Sequence, residues 1–137
     1  MRRQAPAVEY REVKKLRIFD LISQVDDLEP NQYSVEQKMK WLSLLDGQIF
    51  EEIIKTHEEP VRESFSAYTN LDEELLVSYP YGEELYSWYL QAMIAAENAE
   101  SDKYDQMMGM YNSVFTQFTN WYNRTHRPKK AKTRFLF

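Results

Sequence analysis

Apolar side chains recur in triplets every seven residues over residues 104–122. Residues three and four apart share one face of a helix, so this repeat predicts a long helix with a wide apolar stripe. Ser101 is the expected N-cap, and the helix is expected to run to about His126, shortly before Pro128. Such stripes usually pack in the hydrophobic core, although tyrosine is also common at protein interfaces, where its hydroxyl can stay in contact with solvent. The stripe consists of Tyr104, Met107, Met108, Tyr111, Val114, Phe115, Phe118, Trp121 and Tyr122.

A second apolar pattern precedes this helix and begins near Glu83. Glu83 and Glu84 suit the first turn of a helix because they complement its dipole. The connection to Ser101 is short, so the two helices are expected to form an antiparallel hairpin. The small alanines in the pattern would allow the helices to approach closely. Its members are Leu85, Trp88, Tyr89, Ala92, Ala95, Ala96 and Ala99.

Two further helices are predicted in the first half of the chain. The first is expected from Leu16 to Leu28 and ends before Pro30, because the residue before a proline disfavours helical geometry. Its apolar side is expected to consist of Leu16, Phe19, Leu21, Ile22 and Val25. Ser34 followed by Gln37 resembles a capping box, and a second helix is expected from there to about His57. Residues 58–80 are less regular, so a small β-hairpin near 61–77 and an ordered loop are both open.

These patterns together predict a mainly α fold, a helical bundle of about four helices whose last two form a C-terminal antiparallel hairpin. The expected boundaries are an N-terminal arm over residues 1–15, a helical domain over 16–127 and a C-terminal basic arm over 128–137. A chain of 137 residues with 43% hydrophobic content fits one globular domain. It contains no cysteine, which excludes disulfides and thiolate metal sites. No apolar run reaches the roughly 18 residues that span a bilayer.

Charge is strongly segregated along the chain, although the net charge is only −5. Residues 1–17 carry +4, residues 18–123 carry −15 and residues 124–137 carry +6. An acidic body disfavours sequence-independent DNA binding by that surface. Basic ends are typical of interaction arms.

Catalytic signals are weak throughout the sequence. His57 and His126 both fall near predicted helix ends, where a structural role is favoured, and neither has a metal-ligand partner at helical spacing. Adjacent acidic pairs such as Glu51-Glu52 point in different directions on a helix and are interpreted as a solvated face. No phosphate loop, nucleophile elbow or calcium loop occurs. No catalytic residue, metal site or cofactor is therefore predicted, and the protein is not expected to be an enzyme.

The basic arm is the candidate binding segment. It could bind nucleic acid through its cations or lie along a partner protein through its apolar end, and the apolar anchors favour the protein partner. The candidate residues are Arg127, Lys129, Lys130, Lys132, Arg134, Phe135, Leu136 and Phe137.

Three sets of short motifs occur in chain order. The first is Tyr33-Ser34, Lys40-Trp41-Leu42 and Leu45-Asp46-Gly47-Gln48-Ile49. The second is Leu75-Leu76-Val77, Pro80-Tyr81 and Leu85-Tyr86, and the third is Tyr111-Asn112, Phe118 and Trp121-Tyr122-Asn123-Arg124-Thr125-His126. Over roughly residues 16–128 the set resembles small proteins of prophages and tailed phages of Gram-positive bacteria, encoded among head and neck genes. The functional class that it resembles is the head–tail connector, or adaptor, family.

The resemblance implies a virion structural protein, made in the cytoplasm of the bacterial host and located in the neck of the particle. Its subunits would form a homo-oligomeric ring, typically of twelve copies, beneath the portal protein. The other partners would be the next neck or tail-completion protein and the genomic DNA, which crosses the lumen without sequence-specific binding. Termini in this family commonly dock on the portal, and residues 127–137 match by position and character. No membrane partner is expected.

Two other classes of function are open on the sequence alone. One is a regulatory DNA-binding protein with basic arms on a helical body, although no helix-turn-helix pattern is evident. The other is a small enzyme on a helical bundle, which would require acidic residues with perturbed pKa values converging in a pocket.

Overall fold

The computed structural model describes residues 15–129. The predicted arms over 1–14 and 130–137 therefore lie outside the described residues. Between these limits the chain is mainly helical and contains no strand. None of these helices combines the length and apolarity that crossing a bilayer requires. The helices are α1 (Ile18–Leu28), α2 (Val35–Ile49), α3 (Gly82–Glu97) and α4 (Ser101–Thr125), and α2 continues into a π-helical turn, Phe50–Ile54.

Helix α1 begins two residues later than the sequence predicts. The carbonyl of Leu16 accepts a hydrogen bond from the backbone N–H of Leu75 at 2.8 Å, and Arg17 forms an antiparallel bridge with Glu74. This pairing holds both residues in extended backbone, so helical geometry starts at Ile18. The buried residues of α1 are Ile18, Leu21, Ile22 and Val25, so three members of the predicted stripe are buried, whereas Phe19 is 55% exposed and its placement in the stripe is wrong.

Helix α2 begins at the predicted cap. The Ser34 hydroxyl accepts a hydrogen bond from the backbone N–H of Gln37 at 3.1 Å, which satisfies one of the free donors of the first turn. A Cβ added at Gly47 would lie 3.8 Å from the Phe65 ring, an ordinary contact, so this glycine is not required by close packing.

Helices α3 and α4 are joined by three residues, 98–100, and pack along each other. Tyr89 near the middle of α3 contacts Tyr111, with ring centroids 5.4 Å apart. Tyr81, just before α3, contacts Trp121 near the end of α4 at 5.7 Å. Higher residue numbers on one helix therefore meet lower numbers on the other. The N-cap position of α4 is Glu100 and no side chain caps it, so the prediction of Ser101 as the cap is wrong.

The aromatic stripe of α4 faces the core with a half-exposed edge. Its buried members are Tyr111, Val114, Phe118 and Tyr122. The other five members are half-buried, and none is fully exposed. The stripe is therefore core on one side and available to solvent along its flank.

Residues 61–77 form an ordered loop, and the alternative of a β-hairpin is wrong for this segment. Part of its backbone pairs with the start of α1: Ile18 donates from its backbone N–H to the carbonyl of Glu73 at 3.1 Å, and Phe19 donates to Leu71 at 3.0 Å. The backbone N–H groups of Tyr68, Leu75 and Leu76 donate to Ser43, Leu16 and Asp46, so these donors are not available to a hairpin.

Replacing Gly82 by alanine is expected to destabilise the protein. An added Cβ would lie 2.1 Å from the backbone oxygen of Val77, and a backbone atom cannot swing away as a side chain does. We expect a loss of about 1–3 kcal/mol in the free energy of unfolding. Gly109 in α4 is the matched control, since nothing lies within 4 Å of its added Cβ. Gly109→Ala should stabilise by up to about 1 kcal/mol. Urea unfolding of both variants tests this, and equal effects would contradict the close approach.

Candidate partner-docking site

Two of the predicted arm residues, Arg127 and Lys129, fall within the described part of the chain. Both are exposed, and the Arg127 side chain keeps 80% of its accessible surface. The Arg127 Nε lies 3.9 Å from a carboxylate oxygen of Glu58. An exposed pair at this distance contributes at most about 1 kcal/mol, so it does not immobilise the arginine. The other six predicted residues, Lys130, Lys132, Arg134, Phe135, Leu136 and Phe137, lie outside the described residues.

The backbone after α4 is paired with the end of the π-helical segment. Glu58 donates its backbone N–H to the carbonyl of Arg127 at 2.7 Å, and Lys129 donates to the carbonyl of Thr56 at 2.9 Å. Between these bonds His57 and Pro128 form an antiparallel bridge. Main-chain hydrogen bonds therefore fix residues 127–129, the described start of the basic segment, against residues 56–58.

His57 ties the same two elements together from inside. Its ring is 5% exposed, and its Nε2 lies 2.7 Å from the side-chain Oδ1 of Asn123 on α4. Its Nδ1 lies 2.7 Å from the carbonyl of Ile53. The ring also meets Tyr122 edge-on at 5.0 Å, and Tyr122 in turn stacks on His126 at 3.8 Å. Both ring nitrogens of His57 lie within hydrogen-bonding distance of protein oxygens, so this side chain holds the two elements together.

An open polar cavity of about 620 Å³ borders the point where the basic segment leaves. It carries carboxylates from Glu58 and Glu59 and cations from Arg124 and Arg127. Both signs of charge therefore line this cavity.

A second depression lies along α2 and is mainly apolar. We call it the α2 groove; its volume is about 460 Å³. Leu44 is 58% exposed there, and Phe65 forms part of the opposite wall. The lining residues are Ser43, Leu44, Gly47, Gln48, Glu51, Glu52, Phe65, Ser66 and Ala67.

A buried carboxylate, Asp46, is the strongest electrostatic feature of the described chain. It is fully buried and accepts three hydrogen bonds. Tyr86 donates to it from its hydroxyl at 2.6 Å, Leu76 donates its backbone N–H at 3.1 Å, and the Tyr68 hydroxyl is the third donor. Burial raises the pKa of Asp46 to about 6, while the three donors oppose that rise. Burial, together with the charge of Asp46, also raises the pKa values of Tyr68 and Tyr86.

The burial of Asp46 was not predicted from the sequence. The available signal was its place among Leu42, Leu45 and Ile49, since an acidic residue within an apolar face of a helix is rarely buried without partners. Its partners come from residues 22, 30 and 40 positions away, which no local pattern indicates.

The perturbed pKa of Asp46 does not make it a candidate catalytic group. Its carboxylate is held by three donors and lines neither of the two cavities described above. The adjacent acidic pairs that the sequence offers lie exposed or half-exposed, as predicted. Over the same residues, no group of three or more His, Cys, Asp and Glu side chains is arranged to hold a metal ion.

Comparison with protein-family models, curated proteins and solved structures finds no match to this chain. The resemblance to connector proteins therefore stays a prediction from the motifs. Many of the residues that carry it have structural roles here. Asp46, Leu76 and Tyr86 belong to the buried carboxylate network. Asn123 contacts His57, and His126 stacks on Tyr122.

The pKa of Asp46 predicts a stability change with pH. The folded pKa, about 6, lies above the unfolded value of 3.8, so the folded state holds the proton more tightly. The stabilisation from this proton is complete below pH 3.8 and is lost as pH rises through about 6. This group should therefore lower the free energy of unfolding by about 3 kcal/mol between those pH values.

Asp46→Asn removes the titrating group, so its free energy of unfolding should lack this loss, and the difference between variant and wild type should change by about 3 kcal/mol over that interval. Asp20→Asn removes an exposed carboxylate of α1 and keeps Asp46, so it should retain the wild-type loss. Urea unfolding from pH 4 to 7 measures both. Parallel curves for Asp46→Asn and wild type would contradict a raised pKa.

Proposed function

We propose that this protein is a structural subunit of a tailed-phage virion, a head–tail connector that assembles as a ring beneath the portal. In this proposal, residues 127–137 bind the portal protein and the helical body contacts neighbouring subunits and the next neck or tail-completion protein. The observation that carries it is the anchoring of a basic, apolar-ended segment to one fixed point of an acidic helical body. The motif resemblance supports the same class.

The anchoring supports an arm that reaches a partner. Main-chain bonds at Thr56 and Glu58 fix where the segment departs, while the side chains of Arg127 and Lys129 remain exposed. A fixed departure point lowers the conformational entropy lost on binding, because fewer residues must be ordered. A docking arm gains affinity from this arrangement.

The charge distribution supports a body that surrounds DNA without gripping it. Residues 18–123 carry −15, and a duplex is bound nonspecifically when cations displace its counterions. An acidic lumen would repel the phosphates and let the genome pass. Twelve of the 17 Lys and Arg residues lie in residues 1–17 and 124–137, outside the acidic body.

Half-buried aromatic residues along α3 and α4 support contacts between subunits. Tyr81, Trp88, Tyr89, Phe115 and Trp121 pack against the core and keep part of their surface open. Tyrosine and tryptophan are enriched at interfaces because a large ring gains contact area while its polar atom stays hydrogen-bonded. These residues are candidates for the surface that closes a ring.

Ring assembly is the first expected outcome. Purified protein, alone or with portal protein, should give a particle with the mass of a closed ring in mass photometry, and ring-shaped particles by electron microscopy. A chain that stays monomeric under both conditions and is absent from purified virions would refute the proposal.

Portal attachment should depend on the basic arm. Truncation after Lys129 retains the bonds to Thr56 and Glu58, so the fold should remain intact while attachment is lost. The double variant Lys130→Glu/Lys132→Glu should weaken attachment by at least about tenfold, or 1.4 kcal/mol. Lys40→Glu reverses an exposed charge on α2 and is the matched control, with attachment unchanged.

Pull-down with portal protein measures attachment, and thermal unfolding checks that each variant is folded. Retained attachment after truncation would refute the arm assignment. Salt-sensitive binding to DNA without portal binding would favour the regulatory alternative instead.

A further inference from the structure

A further cavity, with a volume of about 350 Å³, is lined by residues of α1, α3 and α4 and of the segment that precedes α3. Part of its wall is aromatic, since Tyr79 and Tyr81 line it with Pro80 between them. Tyr81 is half-buried and contacts Trp121 at 5.7 Å and Phe118 at 6.5 Å, measured between ring centroids. Tyr79 is 69% exposed. The cavity therefore has one ring that is held by the core and one that is open to solvent.

Carboxylates from two helices line the same cavity. Asp20 belongs to α1, and Glu83 and Glu84 belong to the first turn of α3. All three are exposed, and none forms an ion pair within residues 15–129. Lys15 also lines the cavity, but its ammonium lies 3.5 Å from a carboxylate oxygen of Glu74, which is not a lining residue. The lining therefore presents uncompensated negative charge beside aromatic rings.

This combination favours an organic cation as the ligand. No group of His, Cys, Asp and Glu side chains in the described part of the chain is arranged to hold a metal ion. The face of a tyrosine ring attracts a cation, and carboxylates accept its hydrogen bonds. Side-chain amide oxygens of Gln24 and Gln117 are further acceptors in the lining.

Among the cations that proteins carry, a guanidinium fits this lining better than an ammonium. It is planar, stacks on aromatic faces and has five donors, whereas the lysine ammonium is compact and strongly hydrated. Arginine is also enriched at protein interfaces, where it often contributes much of the binding free energy. An arginine on the surface of another protein is therefore the ligand whose chemistry matches the rings and the carboxylates together.

We infer that this cavity binds an arginine side chain of a partner protein. The guanidinium lies against the tyrosine rings and donates hydrogen bonds to the carboxylates of Asp20, Glu83 and Glu84. This site goes beyond the proposed function and does not rest on it, because neither portal attachment nor ring closure enters the argument.

Titration with a short peptide tests the site in the full-length chain. The probe is acetyl-Gly-Ser-Arg-Ser-Gly-amide, and the control peptide carries citrulline, a neutral analogue of similar shape, in place of arginine. Nuclear magnetic resonance of the isotope-labelled protein at physiological salt should show saturable shifts at the amides of residues 79–84. The arginine peptide should bind at least about fivefold more tightly than the citrulline peptide.

Two pairs of variants locate the binding. Glu84→Gln removes a carboxylate of the cavity, and Tyr79→Leu removes its exposed ring. Each should weaken binding of the arginine peptide about threefold to tenfold. Glu36→Gln, in the first turn of α2, and Phe19→Leu, at a ring that is 55% exposed on α1, are the matched controls outside the cavity. Both controls should bind the peptide as the wild type does, and thermal unfolding checks that all four variants are folded.

Saturable binding that requires the arginine charge and is weakened only by the cavity variants supports the inference. Absence of saturable shifts would overturn it, as would equal affinity for the two peptides. Equal losses in Glu84→Gln and Glu36→Gln would also overturn it, because the general acidity of the body would then explain the binding. So would equal affinities of Tyr79→Leu and Phe19→Leu. Ring assembly and portal attachment are measured in separate experiments, so failure of the proposed function leaves this result to be judged by itself.

Discussion

The fold depends on one buried carboxylate. Asp46 lies on α2, yet its three donors come from the loop residues Tyr68 and Leu76 and from Tyr86 on α3. Burying an unpaired charge would cost far more than a small domain can tolerate, so the donors are obligatory. Because they come from distant parts of the chain, satisfying Asp46 fixes the path of a loop without strands. The close approach of Gly82 to Val77 follows from that path.

A second polar contact joins other elements. His57, which follows the π-helical turn, contacts Asn123 on α4, and the backbone of residues 127–129 pairs with residues 56–58 beside it. Asp46 and His57 thus fix different elements by different chemistry, a carboxylate network and an imidazole bridge.

Two surface features of the described residues support the proposed assembly role. Half-buried aromatic rings lie along α3 and α4, and residues 127–129 are held by main-chain hydrogen bonds.

The sequence by itself determined the four helices, because apolar periodicity and capping are local and three or four residues suffice to express them. It also indicated the Ser34 cap and the buried stripe of α4. The tertiary structure decided the start of α1, the uncapped start of α4, the loop in place of a β-hairpin and the burial of Asp46. Each depends on partners many residues away: Leu16 pairs with Leu75, and Asp46 with Tyr86. Charge alone identifies Arg127 and Lys129 as candidate binding residues. The tertiary structure decided their position, since the pairing joins segments about 70 residues apart along the chain.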